Sequence, residues 1–315
     1  MKRFFFIAIL ALIALSSSAQ LLWKVSGNGL EKPSYVLGTF HFASESMIDK
    51  ISGIEQAFEG CDMVVGEIDY EEMMDQKFMM AMTQNMVAPP DSTLDKLLTS
   101  EEYALVEQEF NKYLGVLGMK LEQMNTVNPH VIRGLILAMK GMQDIQDSQE
   151  LQDFQGLEDM IDVQALSNVN SSGNNLMDKA VQKRAKDMGR PSVALESIEE
   201  QLDLLYNVSL TEQAKNLLEA CKNPDLAKAQ LTQSLALINA YQSQDLTKIY
   251  SITTDAGTMD ALRVVERNRN WIEKLVKMIP EHACLVYVGA AHLPGEEGLL
   301  QLLRNEGYTV EPVQE

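Results

Sequence analysis

Histidine and cysteine are scarce in this 315-residue chain, with four of the first and three of the second. Cys61, Cys221 and Cys284 are odd in number and lack the paired spacing of a zinc site or a disulfide framework. Cys61 and Cys284 each open an apolar run that reads as a buried strand, so both are expected as small core residues. A bond between them would need those two strands to be neighbours. Basic residues are also few, 26 against 45 acidic ones, for a formal net charge of −19. That sign excludes nucleic acid and anionic membrane surfaces as partners; it suits cations and basic peptides, or simply a solvated acidic surface. His-Glu-x-x-His, Gly-x-Ser-x-Gly and a Gly-rich phosphate loop are all missing. Their absence excludes the helix-borne zinc peptidases, the serine-hydrolase elbow and nucleotide cradles, so no cofactor-binding residues of that kind are expected. Long linkers are missing too, and Asn168–Asn175 (NVNSSGNN) is the one loop-like stretch of note.

What is present is concentrated in two stretches. Cys284–Gly295 reads CLVYVGAAHLPG, an apolar run stopped by Gly289 and followed by His292. Such a run, short and without alternation, describes a strand buried on both faces. Tyr35–Phe42 reads YVLGTFHF, with Gly38 and His41 at the same Gly-x-x-His spacing. Half of the chain's histidines thus stand just past a strand end, where open α/β sheets place their ligands.

Met1–Ala19 reads as a secretory signal: Lys2 and Arg3, the apolar Phe4–Leu15, then the small residues Ser16–Ala19. Its apolar centre is short for a bilayer span, so a mature chain starting near Gln20 and exported to the periplasm or the extracellular space is expected, without stable membrane insertion after cleavage. An uncleaved anchor is the alternative. Loss of Lys2 and Arg3 takes the formal charge from −19 to −21.

In chain order, Leu21–Val25 and Ser34–Thr39 read as a hairpin, followed by a helix over Met47–Glu59 and a buried strand over Asp62–Glu67. The C-terminal end repeats the pattern: a strand to Val288, a helix over about Glu296–Asn305, and a strand over Tyr308–Val313. The match suggests an internal pair facing one site, although strand–helix–strand is also the commonest α/β unit. Between the ends, Glu71–Met86, Ser100–Lys112, Pro129–Gln146, Asn174–Met188, Glu199 to about Tyr250, and Thr258–Met278 read as helices. The first is methionine-rich, with Met73, Met74, Phe78 and Met82 at near-helical spacing, which fits core filling or a plastic groove. Ser192–Leu195 is a further buried run. The expected fold is therefore α/β, with a central mixed sheet formed from both ends of the chain and a large helical middle region (about 71–190 and 199–279). Residues 20–315 read as one domain.

Four of these strands end in a group that can bind metal or move protons: His41, Glu67, Glu196 and His292. If the strands are parallel neighbours, the four converge at one sheet edge. Two imidazoles with one or two carboxylates suit a divalent transition metal that keeps a position open for water. Asp69 shares the face of Glu67 and can take its place. Each residue also has a plainer reading, as a bonded loop histidine, a helix cap or a salt-bridge partner. His130 and His282 are expected to be structural.

The segments LLWKV…SYVLGTFHFA, DMVVGEID, VALESIEEQLDLL, ERNRNWIEKL and CLVYVGAAHLPGEEGLLQLLRNEGYTVEPV resemble, in order, the TraB/PrgY/GumN family, which is related to the Tiki membrane metalloproteases. The resemblance implies an exported metal-dependent hydrolase, most simply a peptidase acting on a peptide or protein substrate. It implies that His41 and His292, with Glu67, hold a divalent ion (manganese, cobalt or zinc). Arg267 would act as a cationic donor to a developing oxyanion or to a substrate carboxylate. Glu196, and by its spacing Asp69, are candidates for a further ligand or for a carboxylate that braces one; Glu196 and Gln201 match another family signature, to which no role is assigned. His130 stands where relatives often have tryptophan. The alternative function is a non-catalytic protein that sequesters a peptide, iron or haem with the same histidines.

Overall fold

The computed structural model describes residues 20–41, 43–72, 76–147, 176–206, 208–257 and 263–314. The expected signal Met1–Ala19, Met73 and Met74, the loop Asn168–Asn175 and the first residues of the expected Thr258–Met278 helix lie outside the described residues.

Six strands form one mixed sheet: β1 (Leu22–Ser26), β2 (Ser34–Thr39), β3 (Met63–Gly66), β4 (Ser192–Ala194), β5 (Cys284–Gly289) and β6 (Thr309–Pro312). Their spatial order is β4-β3-β5-β2-β1-β6. β1 and β2 are antiparallel, as a short connection requires, and Gly27, Asn28 and Gly29 supply three left-handed backbone conformations in that turn. β6 closes the other edge of β1, also antiparallel. The remaining pairs, β2 with β5, β5 with β3 and β3 with β4, are all parallel. The four strands expected to end in chemical groups are therefore parallel neighbours. β2 and β3 are buried along their whole length, which is why they read as continuous apolar runs rather than alternating ones.

The chain falls into two compact units, one of Met1–Tyr70, Gly156–Ser197 and Ala236–Glu315, the other of Glu71–Gln155 and Ile198–Leu235. The first contains the whole sheet. The second is helical and has its own core, in which Val106, Phe110 and Leu114 of the Ser100–Leu114 helix pack with Ile132, Ile136 and Leu217. The capping box at Thr99 and Glu102 satisfies the start of that helix. In the methionine-rich helix, observed over Gln76–Asn85, Phe78 and Met82 are half-buried, while Met79 and Met80 are exposed.

Two expectations need correction, and a third observation bears on the cysteines. The helix over Met47–Glu59 is broken into a 3-10 turn, Glu45–Lys50, and an α-helix, Ile54–Gly60. Gly53 between them has φ 77°, and a side chain there would collide with Val313. The helix expected from about Glu296 starts only at Leu299. Cys61 and Cys284 are free thiols although β3 and β5 are neighbours: Cys61 donates to the Phe58 carbonyl and accepts from Arg190.

Gly66 lies opposite Tyr287 in the β3–β5 register, and a Cβ on it would overlap the phenol ring. Tyr287 is fully buried and has no room to swing away. Gly66→Ala is therefore expected to cost about 1–3 kcal/mol, the usual range for an overpacked core. Urea denaturation checks this, with Tyr287→Leu in the same background recovering part of the loss. An unchanged midpoint for Gly66→Ala contradicts the packing described here.

Candidate active site

The parallel register brings the strand ends into line. His41 follows β2, Glu67 follows β3, Glu196 follows β4, and His292 closes a 3-10 turn after β5. The ladder continues past β3 and β4, with Glu196 N–H donating to the Glu67 carbonyl at 2.9 Å. Both motif glycines allow close approach. A Cβ on Gly38 would stand 3.2 Å from Cα of Ala290, so glycine lets the 3-10 turn settle on β2. A Cβ on Gly289 would stand 3.3 Å from Glu67 Oε1 and 3.5 Å from His41 Nε2, filling the floor of the site.

The centre is Glu67, a buried carboxylate. Its Oε1 accepts from Gly289 N–H at 2.7 Å and lies 3.8 Å from His41 Nε2 and 4.0 Å from His292 Nε2. Its Oε2 accepts from Arg267 Nη2 at 2.6 Å. Burial alone would raise its pKa, but His41, His292, Arg267 and the Gly289 N–H together pull it down to about 2. Glu67 is an anion throughout the physiological range.

Arg267 comes from the Val264–Met278 helix, whose buried face carries Val264, Arg267, Asn268, Trp271 and Leu275 at helical spacing. Its guanidinium is committed to protein groups: Nε donates to Glu196 Oε2 at 3.1 Å, Nη2 to Glu67 and to Glu196 Oε1, and Nη1 faces His292 Nε2 at 3.2 Å. Trp271 Nε1 donates to the same Glu196 at 3.3 Å, and its ring lies 4.4 Å from that of His292. Arg267 is thus a buried clamp on two carboxylates, partners that its expected role as a donor to an oxyanion or a substrate carboxylate did not include.

The two histidines differ. His41 is about half exposed, with its side chain at 48%, and its Nδ1 lies 3.2 Å from Asp178 Oδ2. Asp178 is buried and also accepts from Thr39 Oγ1 at 2.7 Å. Desolvation lowers the His41 pKa, yet the Asp178 and Glu67 carboxylates outweigh it and push the ring up to about 9. His292 is buried, and desolvation, offset only in part by Glu67, takes it down to about 3. It is neutral at pH 7.

Asp178, Asn268 and Trp271 are site residues that the sequence reading missed. Asn268 and Trp271 were visible in ERNRNW, on the same helix face as Arg267. Asp178 had no such cue, since it sits in the first turn of the Met177–Asp187 helix, far in sequence from any strand end. Asp69 is drawn into other bonds: it accepts from Gln182 Nε2, while Gln182 Oε1 takes the Tyr70 N–H at 2.9 Å.

Two ligands each about 2.0–2.2 Å from one ion stand at most about 4.0–4.4 Å apart. The distances from Glu67 Oε1 to the two Nε2 atoms fall within that limit, and the donor types suit a divalent transition metal. Among the described residues, no three His, Cys, Asp or Glu side chains form a ready metal-ligating group. Arg267 Nη1 lies 3.2 Å from His292 Nε2, the atom that a cation would use.

Fold and site together define an α/β protein with a buried carboxylate–arginine cluster flanked by two histidines at its parallel strand ends. The profile of the TraB/PrgY/gumN family matches residues 21–312, and the chain belongs to that family. It is 23% identical over 328 residues to the protein named Metalloprotease TIKI2 of Danio rerio. The alignment covers 93% of this chain but 61% of that relative, so the chain spans less than two thirds of its length. No solved structure matches the chain.

Two outcomes are expected. Arg267→Ala leaves Glu67 and Glu196 buried without their counter-charge, and it should lower unfolding free energy by about 3–5 kcal/mol. An exposed pair would cost only about 0–1 kcal/mol, so urea denaturation separates the two pictures. The second outcome concerns pH. His41 holds its proton more tightly when folded (about 9 against 6.5), so its contribution is complete below pH 6.5 and disappears as pH rises through 9. In the metal-free protein the urea midpoint should fall across that window, and fall less in His41→Gln. Parallel pH profiles for the two proteins would contradict the His41–Asp178–Glu67 arrangement.

Proposed function

We propose that this chain is an exported metal-dependent hydrolase that cleaves peptide bonds, with His41, His292 and Glu67 holding a divalent cation. The observation that carries the reading is the approach of two imidazole Nε2 atoms to one ionised carboxylate oxygen, at 3.8 and 4.0 Å. Family membership and the name of the fish relative support it. Export rests on the signal pattern of Met1–Ala19. Among the described residues no helix is long and apolar enough to cross a membrane.

Each residue then has a task. Glu67, at about 2, is a poor proton acceptor and serves as an anionic ligand. His41, half open to solvent, gives up a proton to free its lone pair, so metal uptake releases protons below about pH 9. His292 has no proton to lose there. Arg267 and Glu196 keep Glu67 in place, and the missing side chain of Gly289 leaves the floor open for a substrate carbonyl. A divalent cation such as Mn²⁺, Co²⁺ or Zn²⁺, when bound, would supply Lewis-acid polarisation of that carbonyl and of water.

Metal analysis of the purified protein and steady-state cleavage of a broad peptide library, with and without chelator, test the reading. Cleavage should require metal, and His41→Ala and His292→Ala should lose metal and turnover together. Each loss should exceed the about 10–100-fold that removing an outer hydrogen-bond partner costs. A parent protein that holds one equivalent of metal but cleaves nothing in the library would be a sequestering protein instead.

A further inference from the structure

We infer that Asn268 is a positioning residue that fixes His292 in the tautomer with its proton on Nδ1, so that Nε2 carries the lone pair. The inference deepens the metal-site reading above and rests on it only for the use made of that lone pair. The geometry settles the amide first. Asn268 Nδ2 donates to two backbone carbonyls, His292 O at 3.1 Å and Glu297 O at 2.8 Å. Carbonyls only accept, so the NH₂ end of the amide points at them, and Oδ1 is the atom 2.7 Å from His292 Nδ1. An amide oxygen only accepts, so Nδ1 carries the hydrogen.

The other ring nitrogen agrees. Arg267 Nη1, 3.2 Å from Nε2, has hydrogens to give and no lone pair, so Nε2 must be the acceptor. Both groups are on one helix at consecutive positions, and both are more than nine-tenths buried. Asn268 also ties the backbone at His292 to that at Glu297, so the turn carrying the ring is held by the residue that orients the ring. A histidine ligand is ordinarily fixed in this way by an acceptor on its far nitrogen, and losing that acceptor costs about 10–100-fold in metal affinity.

The test reads the tautomer directly in metal-free protein. With four histidines in the chain, ¹⁵N-histidine NMR is assignable, and His292→Gln identifies the resonances of interest. At pH 7 the parent should show His292 as a neutral ring protonated at Nδ1, with that proton protected from exchange. Asn268→Ala should lose the protection and shift population toward the Nε2–H form. Asn268→Asp keeps an oxygen acceptor and should keep the parent tautomer. Co²⁺ titration, read by visible absorption, should then show about 10–100-fold weaker binding for Asn268→Ala. A parent ring protonated at Nε2, or an Asn268→Ala spectrum identical to the parent's, overturns the inference. If Asn268→Ala does not fold, the parent spectrum and Asn268→Asp decide it. A parent with the expected tautomer that binds no Co²⁺ leaves Asn268 in its role and removes the metal site instead.

Discussion

The site depends on a buried cation shared by two buried carboxylates. Glu67, Glu196 and Arg267 are each less than one-tenth exposed, and none could be held there charged without the others. Moving such charges out of water costs several kcal/mol per ion, which only close, multiply hydrogen-bonded geometry offsets. The fork of Arg267 meets that demand. It reaches the ends of β3 and β4 from a separate helix, so the strand ends, the helix and the ionisation state of Glu67 are set by one interaction. A lysine would offer a single point of charge and could not span both carboxylates in the same plane. The cluster thus makes the site rigid before any ligand arrives.

Parallel pairing does the remaining alignment. In β4-β3-β5-β2 every strand runs the same way, so every C-terminal end falls at one edge. Each glycine of the two Gly-x-x-His motifs then removes a different obstacle. At Gly38 the absent side chain lets Leu293 and Ala290 approach β2, and at Gly289 it keeps open the space between Glu67 and His41. The spacing recurs because both histidines must clear a strand end by about the same distance, whatever the origin of the repeat.

Much of this was legible from residues alone, and the limits have physical causes. Apolar runs without alternation announced the buried strands, and turn residues marked their ends, so His41, Glu67, Glu196 and His292 could be named as one set. Arg267 was found through family likeness, but its partners were not, since a guanidinium is chemically suited to a substrate oxyanion and to a protein carboxylate alike. Asp178 was out of reach because its meeting with His41 spans 137 residues and leaves no local pattern. The bond from Gln182 to Asp69 was equally out of reach, since it joins residues 113 apart in the chain. The helix over Met47–Glu59 failed at Gly53, whose left-handed conformation and contact with Val313 are tertiary facts.

The two histidines occupy similar places in similar motifs and yet have opposite electrostatic settings. An anionic carboxylate stands behind His41 and a neutral amide behind His292. The first arrangement stabilises an imidazolium with a full charge, and the second only with a dipole. Solvent reaches the first ring and not the second, while Arg267 sets its positive charge directly against the second, with Nη1 3.2 Å from Nε2. Repulsion by that charge and loss of hydration act in the same direction on His292, so it stays neutral far below pH 7. Protons that enter or leave the site therefore have one route among these groups, through His41 at its open side. The local sequence repeat supplies two equivalent rings, and the helices that meet them make the rings inequivalent.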